Sequence, residues 1–239
     1  MTELTLASYN IRKAVGLDWK RDPARILAVL TEIDADIVVL QEADKRLGAR
    51  PSALPHFLIA QETDYVPADL ARNKVSLGWH GNAILVRRGL SVEKTQHFDL
   101  PGLEPRGAVM ARIEGLTVVG THLGLLRSWR RRQMRQIRQH LGDAAPGALI
   151  AGDFNEWSDT SGYEPWARDF KLVTPGPSFH AARPVASLDG IAHGTLVTVA
   201  ESGVHHGAHT RVASDHLPIW ARLQLRREDS DPSTGPHHQ

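Results

Sequence analysis

Seven short polar clusters punctuate a chain that otherwise runs in apolar patterns. They are Ser8-Tyr9-Asn10, Gln41-Glu42, Gly81-Asn82-Ala83, Thr121-His122-Leu123, Gly152-Asp153-Phe154-Asn155, Leu188-Asp189-Gly190-Ile191 and Ser214-Asp215-His216-Leu217-Pro218. Their carboxylates, amides and imidazoles suit hard cations, phosphate oxygens and proton transfer. Taken one at a time, each has a plain alternative. Glu42 ends a buried run and is either a salt-bridged rim residue or a ligand for a hard cation. Asn10 suits a turn cap. Asp153 and Asn155 alternate along an extended segment, so both side chains point the same way, yet Gly-Asp-x-Asn also makes good turns. Ser214-Asp215-His216 ahead of a proline reads as an N-cap or a turn, and His122 as a core histidine. The 239 residues include no cysteine, which excludes disulfides, thiolate metal sites and cysteine nucleophiles.

The clusters fall at the ends of predicted elements. Leu4–Ile11 alternates as a half-buried strand, and Asp36–Gln41 carries the β-branched run of a buried one. Between them, Asp22-Pro23 opens a helix with aspartate as N-cap and proline in its first turn. A second helix is expected near 52–62 and a third over the arginine-rich stretch after Leu126. Further strands read at 64–67, 82–87, 91–98, 107–113, 116–121, 148–152, 188–192, 195–200 and 217–225. No internal repeat is visible. Many strands and few helices suggest two packed sheets under helices, in one domain over 1–225, with a polar disordered tail over 226–239. Loops at strand ends are where a rigid scaffold presents reactive groups.

In order along the chain, Asn, Glu, Gly-Asn, Thr-His-Leu, Gly-Asp-Phe-Asn, Leu-Asp and Ser-Asp-His-Leu-Pro resemble the endonuclease/exonuclease/phosphatase superfamily. That superfamily includes deoxyribonuclease I, abasic-site endonucleases, inositol-polyphosphate 5-phosphatases and neutral sphingomyelinases. The likeness runs from about Leu4 to about Leu225. His80-Gly81-Asn82-Ala83, Arg106-Gly107, His122-Leu123-Gly124-Leu125 and Asp153-Phe154-Asn155-Glu156-Trp157 look most like a compact bacterial subgroup. The resemblance implies a four-layer α/β sandwich, two mixed sheets face to face and flanked by helices, with the site at one end. It also implies a phosphoric ester hydrolase in which water attacks in line, aided by Mg²⁺ or Mn²⁺.

By the same resemblance, Glu42, Asn10 and Asp215 would hold the metal. Asp153 would orient or deprotonate the water, Asn155 would donate to a phosphoryl oxygen, and His216 would act as acid, base or charged donor. Asp189 would fix the tautomer of His216, while Asn82 and His122 would contact phosphate oxygens. Arg106 would either clamp phosphate or pair with Glu104. The abasic-site endonucleases carry an acidic residue where this chain has Arg12, and an aromatic where it has Gly190; their phosphate-side tyrosine has no clear counterpart here. Those departures weaken a DNA-repair assignment and leave the hydrolytic residues in place.

Charge nearly cancels, 28 basic against 27 acidic side chains, so partners must be read from distribution. Arg127, Arg130, Arg131, Arg132, Arg135 and Arg138 form either a solvated helix flank or a contact for a nucleic-acid backbone or anionic membrane. His205-His206-x-x-His209 reads as a solvated loop or a zinc site, and Trp157 with Trp166 as core or pocket lining. The expected substrate is a phosphate ester, with a nuclease placed slightly ahead of a phospholipid, sphingomyelin or inositol-phosphate hydrolase. A non-catalytic binding module on a retired site is the alternative of another class. No apolar run approaches the roughly 18 residues of a transmembrane helix. The start lacks a secretory signal pattern, so a cytoplasmic location is expected.

Overall fold

A computed structural model of the chain describes residues 2–158 and 161–226; the expected polar tail lies, apart from Arg226, outside the described residues. Among the described residues, twelve strands form two six-stranded sheets. The first contains β1 (Thr2–Asn10), β2 (Ile37–Gln41), β3 (Tyr65–Pro67), β4 (Ala83–Arg87), β11 (Val197–Val204) and β12 (Ile219–Leu225) in the order β11-β12-β1-β2-β4-β3. The second contains β5 (Val92–Leu100), β6 (Arg106–Ile113), β7 (Leu116–His122), β8 (Ala148–Asp153), β9 (Lys171–Val173) and β10 (Asp189–His193) in the order β5-β6-β7-β8-β10-β9. The α-helices among the described residues are α1 (Pro23–Ile33), α2 (His56–Glu62), α3 (Arg127–Leu141) and α4 (Thr210–Ala213).

Strand alternation builds the layers. In β1, Leu4 and Leu6 face the second sheet, while Ala7 and Tyr9 face α1. Ile37, Val39, Ile84, Val86, Ile219 and Leu223 from the first sheet meet Val109, Val118, Leu149 and Ile191 from the second in a core between the sheets. Ile26, Leu27, Val29 and Leu30 of α1 cover the outer face of the first sheet. Met134, Ile137 and Leu141 of α3 cover the second, packing with Val119 and Ile150. Each such fully buried aliphatic side chain contributes roughly 1.5–3 kcal/mol by leaving water. The result is a four-layer α/β sandwich.

The two sheets repeat one plan without a repeated sequence. In each, a parallel pair joined through a helix (β1-α1-β2 and β7-α3-β8) sits beside antiparallel neighbours in the same positions. Burial patterns are what the two halves share, and many sequences satisfy them. Asp22 caps α1 by accepting from the Arg25 amide at 3.1 Å, with Pro23 at the first helical position. Strand β9 and helix α4, three and four residues long, were not legible as periodicities. Among the described residues no helix is long and apolar enough to cross a membrane.

Candidate active site

The parity that fills the core between the sheets continues to the strand ends and turns polar there. In β1 the inward series is Leu4, Leu6, Ser8, Asn10; in β7 it is Leu116, Val118, Gly120, His122; in β8 it is Leu149, Ala151, Asp153. Register sets His122 opposite Asp153 and Asp153 opposite Asp189, so three side chains lie in one row. Asn10 reaches this row from the other sheet, its Nδ2 donating to Asp153 Oδ2 at 3.0 Å. The parallel pairs end here on their carboxyl side, where α/β sheets open to ligands. Gly152 permits the approach: a Cβ there would stand 1.8 Å from the Thr121 carbonyl oxygen, and its φ is +155°.

Asp153 Oδ2 is met on other sides by His122 Nε2 at 3.3 Å and His216 Nε2 at 3.7 Å. Asp189 Oδ2 accepts from His216 Nδ1 at 2.8 Å and from the Ser178 hydroxyl at 2.5 Å. Burial alone would lower the His216 pKa, but Asp189, Asp153 and Asp215 outweigh it and raise the value to about 10, leaving an imidazolium at neutral pH. His122 goes the other way. Burial, with Arg106 and His216 nearby, outweighs Asp153 and lowers it to about 3, so this ring is neutral.

Asn155 departs from the extended geometry expected for it. Strand β8 stops at Asp153, and Asn155 has φ +52°. Asp153 Oδ1 accepts from the Asn155 amide at 3.0 Å, an aspartate-capped turn that competes with strand continuation. The Asn155 side-chain Nδ2 donates to the Leu123 carbonyl at 2.8 Å, tying the loop after β7 to the loop after β8. Asn82 is similarly committed: its Nδ2 donates to Gly107 O at 3.0 Å and weakly to Trp79 O at 3.4 Å, leaving a buried Oδ1 without a partner. Arg106 pairs with Glu104 at 3.2 Å, its guanidinium pKa lowered by burial. It also lines a cavity of about 380 Å³ with Lys13, Glu42, Arg46, Arg50 and His122. This mouth beside the Asp153 row is rich in cations.

Residues 7–216 match the model of the Endonuclease/Exonuclease/phosphatase family. The chain belongs to that family. Its members hydrolyse phosphate esters. YbhP of Escherichia coli K12 is 28% identical over 215 residues, which cover 81% of this chain and 85% of that protein. A Bacteroides vulgatus endonuclease/exonuclease/phosphatase structure superposes with a TM-score of 0.73 at 21% identity, covering 95% of this chain and 100% of that one. A mannosyl-6-phosphatase of Bacteroides thetaiotaomicron superposes at 0.70 with 17% identity, covering 93% and 100%. These two likenesses show the fold.

One compact group of side chains in this family member could hold a divalent cation. Asp153, Asp189 and His216 offer ligand atoms all within 4.8 Å of one another. In that group, however, His216 Nδ1 and Asp189 already bind each other. The residues expected from the sequence to hold a metal, Asn10, Glu42 and Asp215, lie around the end of β1, where Asn10 Oδ1 accepts from the Arg12 amide at 3.1 Å. Asn10 ends the strand, Gln41 lies opposite it in register, Glu42 follows with φ +52°, and Ser214 Oγ donates to Asn10 O at 2.7 Å beside Asp215. Gln41 buries an Oε1 that has no hydrogen-bond partner among the described residues, the kind of acceptor a hard cation satisfies. Glu42 is ion-paired with Lys13 and faces Arg46 at 3.9 Å, while Asp215 faces Arg12 at 3.5 Å. Two carboxylates are thus balanced by cations from the turn after β1.

Most of the arginine-rich helix is committed to structure. Arg130 is buried against Glu156 at 2.8 Å, and its other terminal nitrogen donates to Leu125 O at 2.5 Å. Arg127 also reaches Glu156, Arg138 binds Asp169 at 2.7 Å, and Arg131 lies 4.0 Å from Glu164. Arg132 stacks on Trp129. His205 and His209 both turn to Glu32, at 3.4 and 2.7 Å, and this exposed trio is less compact than the Asp153 group. The tryptophan pair divides, Trp166 in the core with Nε1 donating to Met134 O, Trp157 66% exposed. Gly190 leaves room for the Phe154 ring, which would lie 2.8 Å from any Cβ there. Sequence patterns did not single out Ser178 or Lys13, because each lies in a common context with no distinctive spacing, and Gln41 was named only as part of its cluster with Glu42.

Proposed function

We propose that the chain is a divalent-metal-dependent phosphoric ester hydrolase, acting on a phosphodiester or phosphomonoester by in-line attack of water. The observation that carries this reading is the convergence of Asn10, His122 and His216 from both sheets on one buried oxygen of Asp153. Asp153 accepts a proton from the attacking water while Asn10 holds its carboxylate in place. His216, kept charged and oriented by Asp189, presents Nε2–H to the phosphoryl group and protonates the departing oxygen. Arg106 and the remaining Asn155 amide hydrogen stabilise the charge that builds on the equatorial oxygens. Glu42, Asn10 and Asp215, with Gln41, would hold Mg²⁺ or Mn²⁺, which when bound would supply charge neutralisation at the phosphate. Nucleic acid and anionic phospholipid are the two polyanionic substrate classes that suit the basic mouth.

The test is hydrolysis of bis-p-nitrophenyl phosphate, single-stranded DNA, RNA and a phospholipid with Mg²⁺, Mn²⁺ or chelator, beside Asp153→Ala. Turnover lost with chelator and in the variant supports the reading. Turnover that survives Asp153→Ala overturns the assigned chemistry, and phosphate-ester binding without any turnover points to a retired site.

A further inference from the structure

The two ends of the sandwich differ in what they expose. At the end away from Asp153, the turns between strands carry Arg88-Gly89, Glu114-Gly115 and Asp143, with Val92 beside them 40% exposed. At the catalytic end, the connecting segments hold Trp19 after β1, Leu47 after β2, Leu103 before β6, Leu125 and Leu126 after β7, and Trp157 after β8. Leu47 is 85% exposed, and Trp19 and Leu103 are each 79% exposed. Scattered surface leucines are ordinary, but large apolar side chains concentrated on one face mark a contact surface.

One part of this face is a formed pocket. It measures about 180 Å³ and is lined by Leu103, Leu125, Leu126, Trp129, Gln133 and Arg106. Its polar lining residues are already engaged: Arg106 pairs with Glu104 at 3.2 Å, and both ends of the Gln133 amide are taken, Oε1 accepting from Gly124 N and Nε2 donating to Pro101 O, each at 2.8 Å. A nucleobase would find little to pair with its polar edge, whereas an alkyl chain needs no partner. Arg106 and Glu104 also line the cavity that holds Glu42 and His122. A phosphate at Arg106 therefore has an apolar slot on one side and the catalytic carboxylates on the other.

We propose that the catalytic end of this protein docks on a lipid–water interface, with the Leu103–Leu125–Leu126–Trp129 pocket taking an acyl chain of a phospholipid whose phosphate reaches Arg106. This names a substrate class for the hydrolase reading above and rests on it. Exposed leucines and tryptophans enter the acyl boundary of a bilayer, and the exposed arginines of α3 beside them favour an anionic headgroup layer.

The full chain would be assayed with Mn²⁺ on methyl p-nitrophenyl phosphate and octyl p-nitrophenyl phosphate. It would also be cosedimented with vesicles of equimolar phosphatidylcholine and phosphatidylglycerol. The comparison is Leu103→Ser/Leu125→Ser, whose altered side chains are exposed, with its fold checked by circular dichroism. Wild type is expected to show a KM at least about tenfold lower for the octyl ester, from burying several methylenes. In the double variant the ratio collapses towards one and vesicle binding falls. Equal KM values with no vesicle binding, while Asp153→Ala still abolishes hydrolysis, overturn the pocket and leave the hydrolase reading intact. Vesicle binding that the variant loses, with neither ester hydrolysed, supports the lipid surface and sinks the hydrolase reading. Single-stranded DNA turned over faster than the octyl ester, equally in both proteins, assigns the face to nucleic acid and overturns the proposal.

Discussion

His122 and His216 share one acceptor, Oδ2 of Asp153, at 3.3 and 3.7 Å, yet they are held in opposite protonation states. The difference lies behind each ring. His216 has Asp189 on its far nitrogen, whereas His122 is buried with the Arg106 and Arg46 guanidiniums near it. Asp153→Asn keeps the shape and removes the base. It should lower kcat about 10²–10⁴-fold, the usual worth of a positioned general base. A steady-state comparison with bis-p-nitrophenyl phosphate checks this, and retention of more than half the wild-type kcat would remove Asp153 from the assigned role.

The same two histidines shape stability against pH in the chelator-treated protein. His122 has a folded pKa of about 3, below its unfolded value. The unfolded chain therefore binds the extra proton, and its stabilisation is lost as pH falls from about 6.5 towards 3. His216 has a folded pKa of about 10, above its unfolded value. Its stabilisation is complete below about 6.5 and is lost as pH rises towards 10. Urea unfolding across this range should show the acid limb flattened in His122→Gln and the alkaline limb flattened in His216→Gln. Each histidine accounts for a slope of up to about 1.4 kcal/mol per pH unit. Unchanged limbs would contradict the assigned protonation states.

How far the sequence foretold this site depended on whether position along a strand was enough. Asn10, His122, Asp153 and Asp189 lie at strand ends whose alternation is readable, so their common row follows from parity and register. Asn155 and Glu42 break that rule through positive φ angles, and the direction of their side chains follows from turns that alternation does not encode. Ser178 belongs to a loop brought beside Asp189 by tertiary structure, with no local pattern to announce it. Strand β9 was hidden because none of its three residues is buried and it carries no apolar run, while the long helix α3 showed its apolar stripe through a surface of arginines.

Ser178 donates to the same Asp189 oxygen that receives His216 Nδ1. Ser178→Ala should leave substrate affinity intact while loosening the imidazole. The expected result is an unchanged KM, a kcat reduced about tenfold for one charge-assisted bond of roughly 1.5 kcal/mol, and partial recovery in Ser178→Thr. An alkaline limb of the pH–kcat profile displaced to lower pH distinguishes a positioning role from a purely structural one. A variant that changes KM alone would refute the positioning role.

Metal binding should be visible without catalysis. Glu42 and Asp215 are balanced by Lys13 and Arg12, so a bound cation replaces ion pairs and adds stability to the folded state alone. Mn²⁺ at about 100 times its dissociation constant should raise unfolding free energy by roughly 2.7 kcal/mol. Glu42→Gln should erase most of that rise in a thermal-shift titration, whereas Glu32→Gln, which removes only the carboxylate between His205 and His209, should retain it. If Glu32→Gln erases the shift and Glu42→Gln does not, the ion sits in the histidine loop.

The arginine-rich helix separates into structural and solvent-facing members by their partners. Arg130 is 4% exposed, pairs with Glu156, and holds the Leu125 carbonyl of the loop that also supplies the acceptor for Asn155. Removing its charge leaves the buried Glu156 with only the half-exposed Arg127, at 3.4 Å, so Arg130→Ala should cost up to about 3–5 kcal/mol. Arg135 is exposed on the same helix, and Arg135→Ala should stay within about 0.5 kcal/mol of wild type. Because Arg130 fastens the loop beside Asn155, its loss should also lower kcat in the fraction that remains folded. Equal stabilities for the two variants in urea unfolding would show that the Arg130–Glu156 pair does not hold the loops of the site together.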